Sequence, residues 1–169
     1  MRLSSVTDPA EIESVAALAH EIWNQHFVPI IGQAQVDFML DKFQSAQAIS
    51  GQISSGYKYY MIEEDDQMAG YFALAPVPDV EGEAQLSKIY VKEVFQGRGL
   101  GRAALEFAEE LCEQMGVGKL WLTVNRQNSA TIDFYRRMGF TIEGEVVQDI
   151  GNGFVMDDYR MAKVLSNKR

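Results

Sequence analysis

The chain has 169 residues, a formal net charge of -9 and a hydrophobic share of 47%, which fit one globular core and leave little room for two. The acidic balance argues against nonspecific nucleic-acid binding, which needs a basic surface, and a single cysteine excludes a framework of intrachain disulfides. No apolar run approaches the roughly 20 residues that span a bilayer, and MRLSSVTDPAEI lacks the apolar segment of a signal peptide. We therefore expect a cytoplasmic protein without a nucleic-acid or membrane partner.

The first half predicts a strand, two helices and a β-hairpin. RLSSV is a candidate strand, and DPAE starts a helix with Asp8 as N-cap, Pro9 in the first turn and Glu11 closing a capping box. The next apolar residues recur at helical spacing: Ile12, Val15, Leu18, Ala19 and Ile22. A second helix is expected from about Gln33 to near 54–56, on the apolar positions Val36, Met39, Leu40 and Phe43. YKYYMIEED and MAGYFALAPV then predict two strands joined by the acidic turn 64–67.

The second half predicts alternating strands and helices. EAQLSKIYV, residues 83–91, is a strand, and the helix after it carries the apolar stripe Leu100, Ala104, Phe107, Ala108, Leu111 and Met115. Cys112 falls in that stripe and is expected to be a buried thiol. KLWLTVN is a strand with Trp121 and Thr123 on one face; a helix from Asn128 to Met138 ends at Gly139, and GFTIEGEVVQDI and FVMDDYRMAKVL are the last strands. The order β-αα-βββ-α-β-α-ββ predicts one mixed α/β domain over residues 1–169.

The segment QGRGLGR indicates an anion site. Gly99 and Gly101 flank Leu100 where the long helix begins, so backbone N–H groups can turn toward one point and the helix N-terminus adds partial positive charge. Arg98 and Arg102 bracket the loop and can pair with phosphate oxygens. The spacing is neither that of a Walker loop nor the G-x-G-x-x-G of dinucleotide sites. A tight turn without a ligand remains the alternative.

Two segments of this half resemble motifs of the GNAT-type N-acetyltransferase superfamily. IYVKEVFQGRGLG contains Gln96-x-x-Gly99-x-Gly101, similar to the family's Q/R-x-x-G-x-G/A acyl-CoA motif, and VNRQNSATIDFYRRMGF resembles its N-x-x-A-x-x-x-Y-x-x-x-G-F segment. The element order is also the family's, so the resemblance covers nearly the whole chain. It implies a GNAT-like acyl-CoA N-acyltransferase fold: a central, mixed, mostly antiparallel twisted sheet flanked by about four helices. The implied regions are acceptor-side (about 1–85), acetyl-CoA-binding (about 86–140) and C-terminal strands (140–165).

The resemblance implies where acetyl-CoA, the co-substrate, binds. Main-chain groups of Ile89, Tyr90 and Val91 should face the pantetheine arm, which requires their strand to part from KLWLTVN. The pyrophosphate should lie on the loop residues Gln96, Gly97, Arg98, Gly99, Leu100, Gly101 and Arg102. Further cofactor contacts are implied for Asn125, Asn128 and Arg137. Asn128 can instead be a helix N-cap, and Arg137 can instead stabilise the C-terminal end of the helix dipole.

The resemblance also implies a catalytic acid. Tyr135 lies at the family's tyrosine position, where its phenol would protonate the departing CoA thiolate; packing beside Phe134 is the structural alternative. Gln85 stands where many relatives have a glutamate base, so Glu83, two residues earlier on the same face, is the candidate substitute through a water molecule. The assignment of the base stays open at this point.

The N-terminal helices usually shape the acceptor pocket in this superfamily, and there Trp23, His26, Phe27 and Asp37 are candidate substrate contacts, with helix packing as the alternative. With two histidines and no cysteine cluster, no metal site is expected. Residues 1–85 hold 3 Lys/Arg against 13 Asp/Glu, whereas residues 86–169 hold 12 against 11. An acidic acceptor region suits a cationic amine such as a polyamine, although the charge can also serve solubility alone.

Three functions remain compatible with the sequence. The first is acetylation of a small amine, the branch that the two N-terminal helices and the YRMAK ending resemble most. The second is acetylation of a protein N-terminus or lysine, and the third is an acyl-CoA sensor without turnover. A homodimer through exposed C-terminal strands is also expected.

Overall fold

A computed structural model gives the fold and describes residues 1–165, apart from the side chain of Lys88. These residues form seven strands: β1 (Arg2–Ser5), β2 (Lys58–Glu64), β3 (Gln67–Pro76), β4 (Glu83–Val91), β5 (Lys119–Asn125), β6 (Thr141–Gly151) and β7 (Phe154–Val164). They also form six α-helices: α1 (Pro9–His26), α2 (Val28–Ile31), α3 (Gln33–Phe43), α4 (Ala46–Ser54), α5 (Leu100–Gln114) and α6 (Ser129–Arg137). Across the described residues, no helix is both long enough and apolar enough to cross a membrane.

The strands form one mixed sheet in the order β1-β2-β3-β4-β5-β7-β6. β1 with β2, β2 with β3, β5 with β7 and β6 with β7 are antiparallel, whereas β4 and β5 are parallel. The predicted mixed, mostly antiparallel α/β architecture is therefore confirmed. The chain divides into two compact units, Met1–Ala75 with Lys88–Glu106, and Pro76–Ser87 with the chain from Phe107 onward. One domain over residues 1–169 stays a prediction.

The first unit confirms the predicted start of α1. The Asp8 carboxylate accepts from the Glu11 N–H at 2.8 Å, and the Glu11 carboxylate accepts in return from the Asp8 N–H at 3.1 Å. These two bonds form the predicted capping box and satisfy N–H groups that a helix start otherwise leaves unpaired. Backbone hydrogen bonds also lower the pKa of the Glu11 carboxyl. The five predicted stripe residues of α1 are all buried, so this face is core.

The single helix predicted from Gln33 onward is wrong, because two helices lie there. α3 ends at Phe43, and α4 starts at Ser45, whose hydroxyl accepts from the Ala48 N–H and gives the chain a new N-cap. A further turn of helix, α2, has Pro29 in its first turn, a position that the fixed φ of proline favours. Val36, Met39 and Leu40 are buried as predicted, whereas Phe43 is half-buried.

The second unit has a sheet with two different faces. Leu120, Leu122 and Val124 of β5 are buried, while Trp121 and Thr123 are half-buried on the other face, as the alternation predicted. Cys112 of α5 is buried, and burial raises the pKa of its thiol to about 11, so it is the inert core thiol that was expected. Met115 was wrongly placed in the apolar stripe: α5 ends at Gln114, and Met115 is exposed.

Candidate active site

The glycine loop lies in the first unit and is held open at the start of α5. Phe95 and Leu100, on its two sides, are buried and anchor it. Gly97 and Gly99 have φ of 82° and 77°, a conformation that residues with a side chain rarely adopt, and no described atom lies within 4 Å of a Cβ built on either. The Gly99 carbonyl accepts the first helical bond from the Ala103 N–H at 3.0 Å. Free helix N–H groups behind an open loop fit an anionic group such as a pyrophosphate.

Both loop arginines have carboxylate partners. The Arg98 guanidinium lies 2.7 Å from the Asp65 carboxylate, in the turn between β2 and β3, and stacks over the Phe95 ring at 5.1 Å. Arg102 pairs with Glu106 one helical turn later at 3.5 Å. All of these charged groups are exposed, so the pairs are weak and a phosphate can compete for either guanidinium.

The end of β4 is held by three contacts. The side-chain amide of Gln96 donates to the Val91 carbonyl at 3.1 Å, and the Lys92 N–H donates to the Ala69 carbonyl at 2.7 Å. The carbonyl oxygen of Tyr90 lies so close to β3 that a Cβ at Gly70 would stand 2.2 Å from it. Ile89 belongs to the same half-buried strand end. These contacts hold the main chain at the end of β4, where the resemblance implies a pantetheine contact.

Three of the four predicted acceptor residues join an aromatic cluster with Tyr90. The ring of Trp23 lies 4.7 Å from Phe27 and 5.7 Å from Tyr90, Phe27 lies 5.8 Å from Tyr90, and His26 lies 4.7 Å from Phe27. Asp37 is exposed outside this cluster, and its carboxylate accepts from the Gln33 amide at 2.8 Å. The structure therefore brings Trp23, His26 and Phe27 together and places Asp37 apart.

Tyr135 is a buried phenol on α6, in the second unit. It is 6% exposed and packs edge-on against Phe134 and Phe140, at 5.2 Å and 5.4 Å between ring centroids. Burial raises the pKa of Tyr135 above its ordinary value, so the phenol keeps its proton at neutral pH. A neutral phenol in such a place can donate a hydrogen bond to a developing thiolate.

The two predicted asparagines surround the turn between β5 and α6. The Asn125 side chain accepts from the Gln127 N–H at 2.9 Å and so stabilises the turn. Asn128 precedes α6 at the N-cap position and is 5% exposed, but its side chain makes no cap hydrogen bond in the described structure. Arg137 lies exposed in the last turn of α6, where a cation also stabilises the helix dipole.

One face of the sheet in the second unit is polar. Gln85 lies opposite Trp121, Thr123 opposite Arg160 and Asn125 opposite Asp158, and residues directly opposite share a face. With the alternation along each strand, this "polar face" comprises Glu83, Gln85, Trp121, Thr123, Asn125, Asp158 and Arg160. β4 pairs with β5 in parallel register, with Glu83, Ala84 and Gln85 opposite Lys119, Leu120 and Trp121.

Glu83, the predicted base, is already engaged on this face. Its carboxylate accepts from Arg160 at 3.4 Å, and Arg160 also binds Glu143, which pairs with Lys119 at 2.9 Å. The Arg160 guanidinium stacks over the Trp121 ring at 3.9 Å. Glu83 is therefore part of an ion-pair network with Arg160, Glu143 and Lys119.

Sequence reasoning missed the buried carboxylate of Asp158. Its residue is 4% exposed, and burial raises the pKa of its carboxyl to about 6, against a smaller lowering by a hydrogen bond with Thr123. The signal in the sequence was the pair DD inside a strand, because alternation turns one of two consecutive side chains inward. Which of the two turns inward became clear only from the register with β5.

With this geometry in hand, comparison with known proteins identifies the family. A model described as the acetyltransferase (GNAT) family matches residues 16–140. The chain belongs to this family. An uncharacterized N-acetyltransferase in the pepI 3′ region of Lactobacillus delbrueckii subsp. lactis is 32% identical over 136 residues, covering 76% of this chain and 75% of the relative. Membership makes this GNAT protein an acyltransferase that depends on acetyl-CoA.

Two other relatives differ in the acceptor that their names give. Spermidine N(1)-acetyltransferase of Escherichia coli K12 is 30% identical over 104 residues, covering 61% of this chain and 54% of the relative. The [ribosomal protein bS18]-alanine N-acetyltransferase of Salmonella typhimurium is 40% identical over 96 residues, covering 57% and 63%. The matches thus span about half to two thirds of these two proteins, and they leave the acceptor open.

The fold likeness extends over nearly the whole chain. The PaiA N-acetyltransferase from Thermoplasma acidophilum, solved in complex with coenzyme A, has a TM-score of 0.80 at 20% identity, covering 97% of this chain and 99% of that one. At this identity the likeness shows the fold.

Proposed function

We propose that this GNAT protein transfers the acetyl group of acetyl-CoA directly to a primary amine of a small, cationic acceptor such as a polyamine. The observation that carries the acceptor class is the aromatic cluster of Trp23, Phe27 and Tyr90, built on an acidic half of the chain. Aromatic faces and an excess of carboxylates both attract a cation. A polyamine keeps a charged amine for these groups while a second amine reacts.

We propose the following roles for the residues of the candidate site. Helix N–H groups behind Gly97 and Gly99 hold the pyrophosphate, and the end of β4 holds the pantetheine arm through its main chain. Tyr135 donates its proton to the thiolate as the carbon–sulfur bond breaks. The amine must be neutral when it attacks, because an ammonium has no lone pair and an amine pKa near 10 leaves little neutral form at pH 7.

A second candidate is acetylation of a protein N-terminus. It is supported by the identity of 40% over 96 residues with the bS18-alanine acetyltransferase. Such an acceptor presents one amine on an extended backbone, so its recognition depends on main-chain hydrogen bonds more than on acceptor charge.

An acceptor panel tests the proposal. The purified protein is given acetyl-CoA with spermidine, an alanine-starting peptide, a lysine-containing peptide with a blocked N-terminus, or a neutral primary amine. The rate of CoA thiol release gives kcat/KM for each acceptor, and mass spectrometry of the product identifies the acetylated site. We expect spermidine to exceed each other acceptor by at least about tenfold, the effect of roughly 1.4 kcal/mol. A better peptide substrate would favour the second candidate, and acetyl-CoA binding without turnover of any amine would indicate a sensor.

A further inference from the structure

The buried carboxylate of Asp158 lies at the end of the sheet where ligands commonly bind. β4 and β5 are the parallel pair, and Asp158 stands opposite Asn125, the last residue of β5. In open α/β sheets, ligands bind outside the carboxyl ends of parallel strands. Asp158 also shares the polar face with Gln85, the position at which the resemblance leads one to expect a carboxylate base.

Arg126, whose charge acts on Asp158, and Arg160, on the same face of β7, are engaged by other carboxylates. Arg126 pairs with Asp157 and Glu145, each at 2.9 Å. Arg160, two residues along β7 on the same face, binds Glu83 and Glu143. The Asp158 carboxylate accepts a hydrogen bond from the hydroxyl of Thr123, which is a neutral donor. Because burying a carboxylate destabilises a fold when the nearby cation is already paired with other carboxylates, a residue of this kind marks a candidate functional group.

We propose that Asp158 is the general base of the acetyl transfer, taking the proton from the ammonium of the acceptor at the carboxyl end of β5. The proposal rests on the proposed function. The Asp158 carboxylate accepts one proton from the ammonium and later releases it to solvent. The freed lone pair forms the nitrogen–carbon bond, and the carbon–sulfur bond breaks with its electron pair on sulfur. When the tetrahedral intermediate collapses, Tyr135 gives its proton to the thiolate. The nitrogen then loses a second proton, which restores the phenol of Tyr135.

The electrostatics around Asp158 suit a base that works near neutral pH. Its carboxyl has a raised pKa of about 6, so it is ionised at pH 7 yet is a much stronger base than an ordinary aspartate. The groups facing it are Thr123 and Asn125 from β5 and Val146 from β6, with the charges of Asp157 and Arg126 close by. Asp157 raises this pKa further, and Arg126 lowers it.

The test compares pH profiles of kcat/KM for the acceptor in the wild type, Asp158→Asn and Asp157→Asn, from pH 5 to 9. In the wild type we expect log kcat/KM to increase with pH up to about pH 6 and to stay constant at higher pH. The reason is that only the ionised base accepts the proton of the bound ammonium. In Asp158→Asn we expect kcat/KM at pH 7 to fall about 10²–10⁴-fold. Its profile should rise about tenfold per pH unit toward the amine pKa near 10, since only free neutral amine then reacts.

The controls separate this inference from the proposed function. Asp157→Asn makes the same change one residue away, at an exposed carboxylate paired with Arg126. It should keep the shape and the plateau of the wild-type profile, with the levelling-off at slightly lower pH because the Asp157 charge no longer raises the pKa of Asp158. An unchanged acetyl-CoA-induced rise in the unfolding midpoint would show that Asp158→Asn keeps its fold and its cofactor site. Wild-type turnover with an Asp158→Asn profile that still levels off near pH 6 would overturn the assignment of Asp158 alone. Absence of wild-type turnover with every amine would overturn the proposed function and this inference with it.

Discussion

The carbonyl oxygen of Tyr90 on β4 approaches the Gly70 backbone on β3 so closely that a Cβ at position 70 would stand 2.2 Å from it. The Val91 Cα would stand 3.1 Å away, so the backbone of β4 itself would have to move. Gly70 therefore does more than leave space in a crowded core. Its missing side chain sets the position of the strand end assigned to the pantetheine arm.

Gly70→Ala should lower both stability and cofactor binding. Overpacking against a backbone carbonyl costs about 1–3 kcal/mol. The unfolding midpoint should then fall by about 2–4 °C for each kcal/mol, and the rise induced by acetyl-CoA should shrink. Gly144→Ala in β6, where no described atom lies within 4 Å of the added Cβ, is the matched control and should keep the acetyl-CoA response. Equal acetyl-CoA responses in the two variants would contradict a role for Gly70 in positioning β4.

Tyr135→Phe tests the proposed acid. Loss of the phenol oxygen should lower kcat by about 10²-fold or more, the usual contribution of a general acid, while acetyl-CoA binding stays close to that of the wild type. Tyr159→Phe removes the same atom from a half-buried residue of β7 whose ring lies under Arg126, and should leave kcat unchanged. Steady-state kinetics that give both variants wild-type kcat would exclude Tyr135 as the acid.

Asp158→Asn should make the protein more stable at neutral pH. The folded-state pKa of about 6 lies above the ordinary value of 3.8, so the folded state binds the proton more tightly than the unfolded state. The stability from this linkage is fully present below about pH 3.8 and is lost as the pH rises through about 6. Two pKa units correspond to an upper value of about 3 kcal/mol, so the variant should gain about 1–3 kcal/mol at pH 8.

Chemical denaturation at pH 8 and pH 4.5 checks this linkage. The gain should be clear at pH 8 and should fall to about a third of that size at pH 4.5, where the carboxyl is protonated in the folded state but still mostly ionised in the unfolded state. Asp157→Asn should show a much smaller gain, because Asp157 is exposed and paired with Arg126 and contributes only a minor part of the raised pKa of Asp158. A destabilised Asp158→Asn at pH 8 would mean that the buried carboxylate stabilises the fold instead of serving catalysis.

Asp65→Asn tests whether the β2–β3 turn competes for the loop arginine. With the 2.7 Å pair removed, Arg98 is free to turn toward a phosphate. Because exposed ion pairs contribute about 0.2–1 kcal/mol, acetyl-CoA should bind up to about fivefold more tightly at low salt, with a smaller gain at high salt. Asp66→Asn removes the same charge from the next residue of the turn and is the control in a titration of acetyl-CoA affinity. An equal effect of both changes would assign the gain to net charge alone.

Most of the fold could be predicted from local patterns, because helix caps and the polar–apolar alternation of strands depend on only a few consecutive residues. The capping box of Asp8 and Glu11, the bounds of β4 and the two faces of β5 all appear in the structure as predicted. The break between α3 and α4 was missed, because Ser45 is a good N-cap but the apolar spacing continues past it. The sequence pattern alone does not show whether Ser45 starts a new helix or lies within one continuous helix.

The candidate site was only partly predictable, because several of its residues depend on contacts between distant segments. Gly97 and Gly99 could be assigned from the motif, since their conformation is local. The pairing of Arg98 with Asp65, 33 residues away in the chain, could not. Asp158 becomes a candidate only once the register places it beside Thr123 and Asn125.

The measurement that tests the account most directly is the acetyl-CoA-induced rise in the unfolding midpoint, in the wild type, Gly99→Ala and Gly116→Ala. Gly99 and Gly116 both have φ of 77° and open space for a Cβ, and they lie at opposite ends of α5, so alanine costs each a similar strain. At 100 times its dissociation constant a ligand stabilises by about 2.7 kcal/mol.

For a chain of 169 residues that stabilisation corresponds to a rise of roughly 5–10 °C. We predict this rise in the wild type and in Gly116→Ala, and little or none in Gly99→Ala. Equal rises in all three proteins would contradict the central claim that the open glycine loop at the start of α5 holds acetyl-CoA.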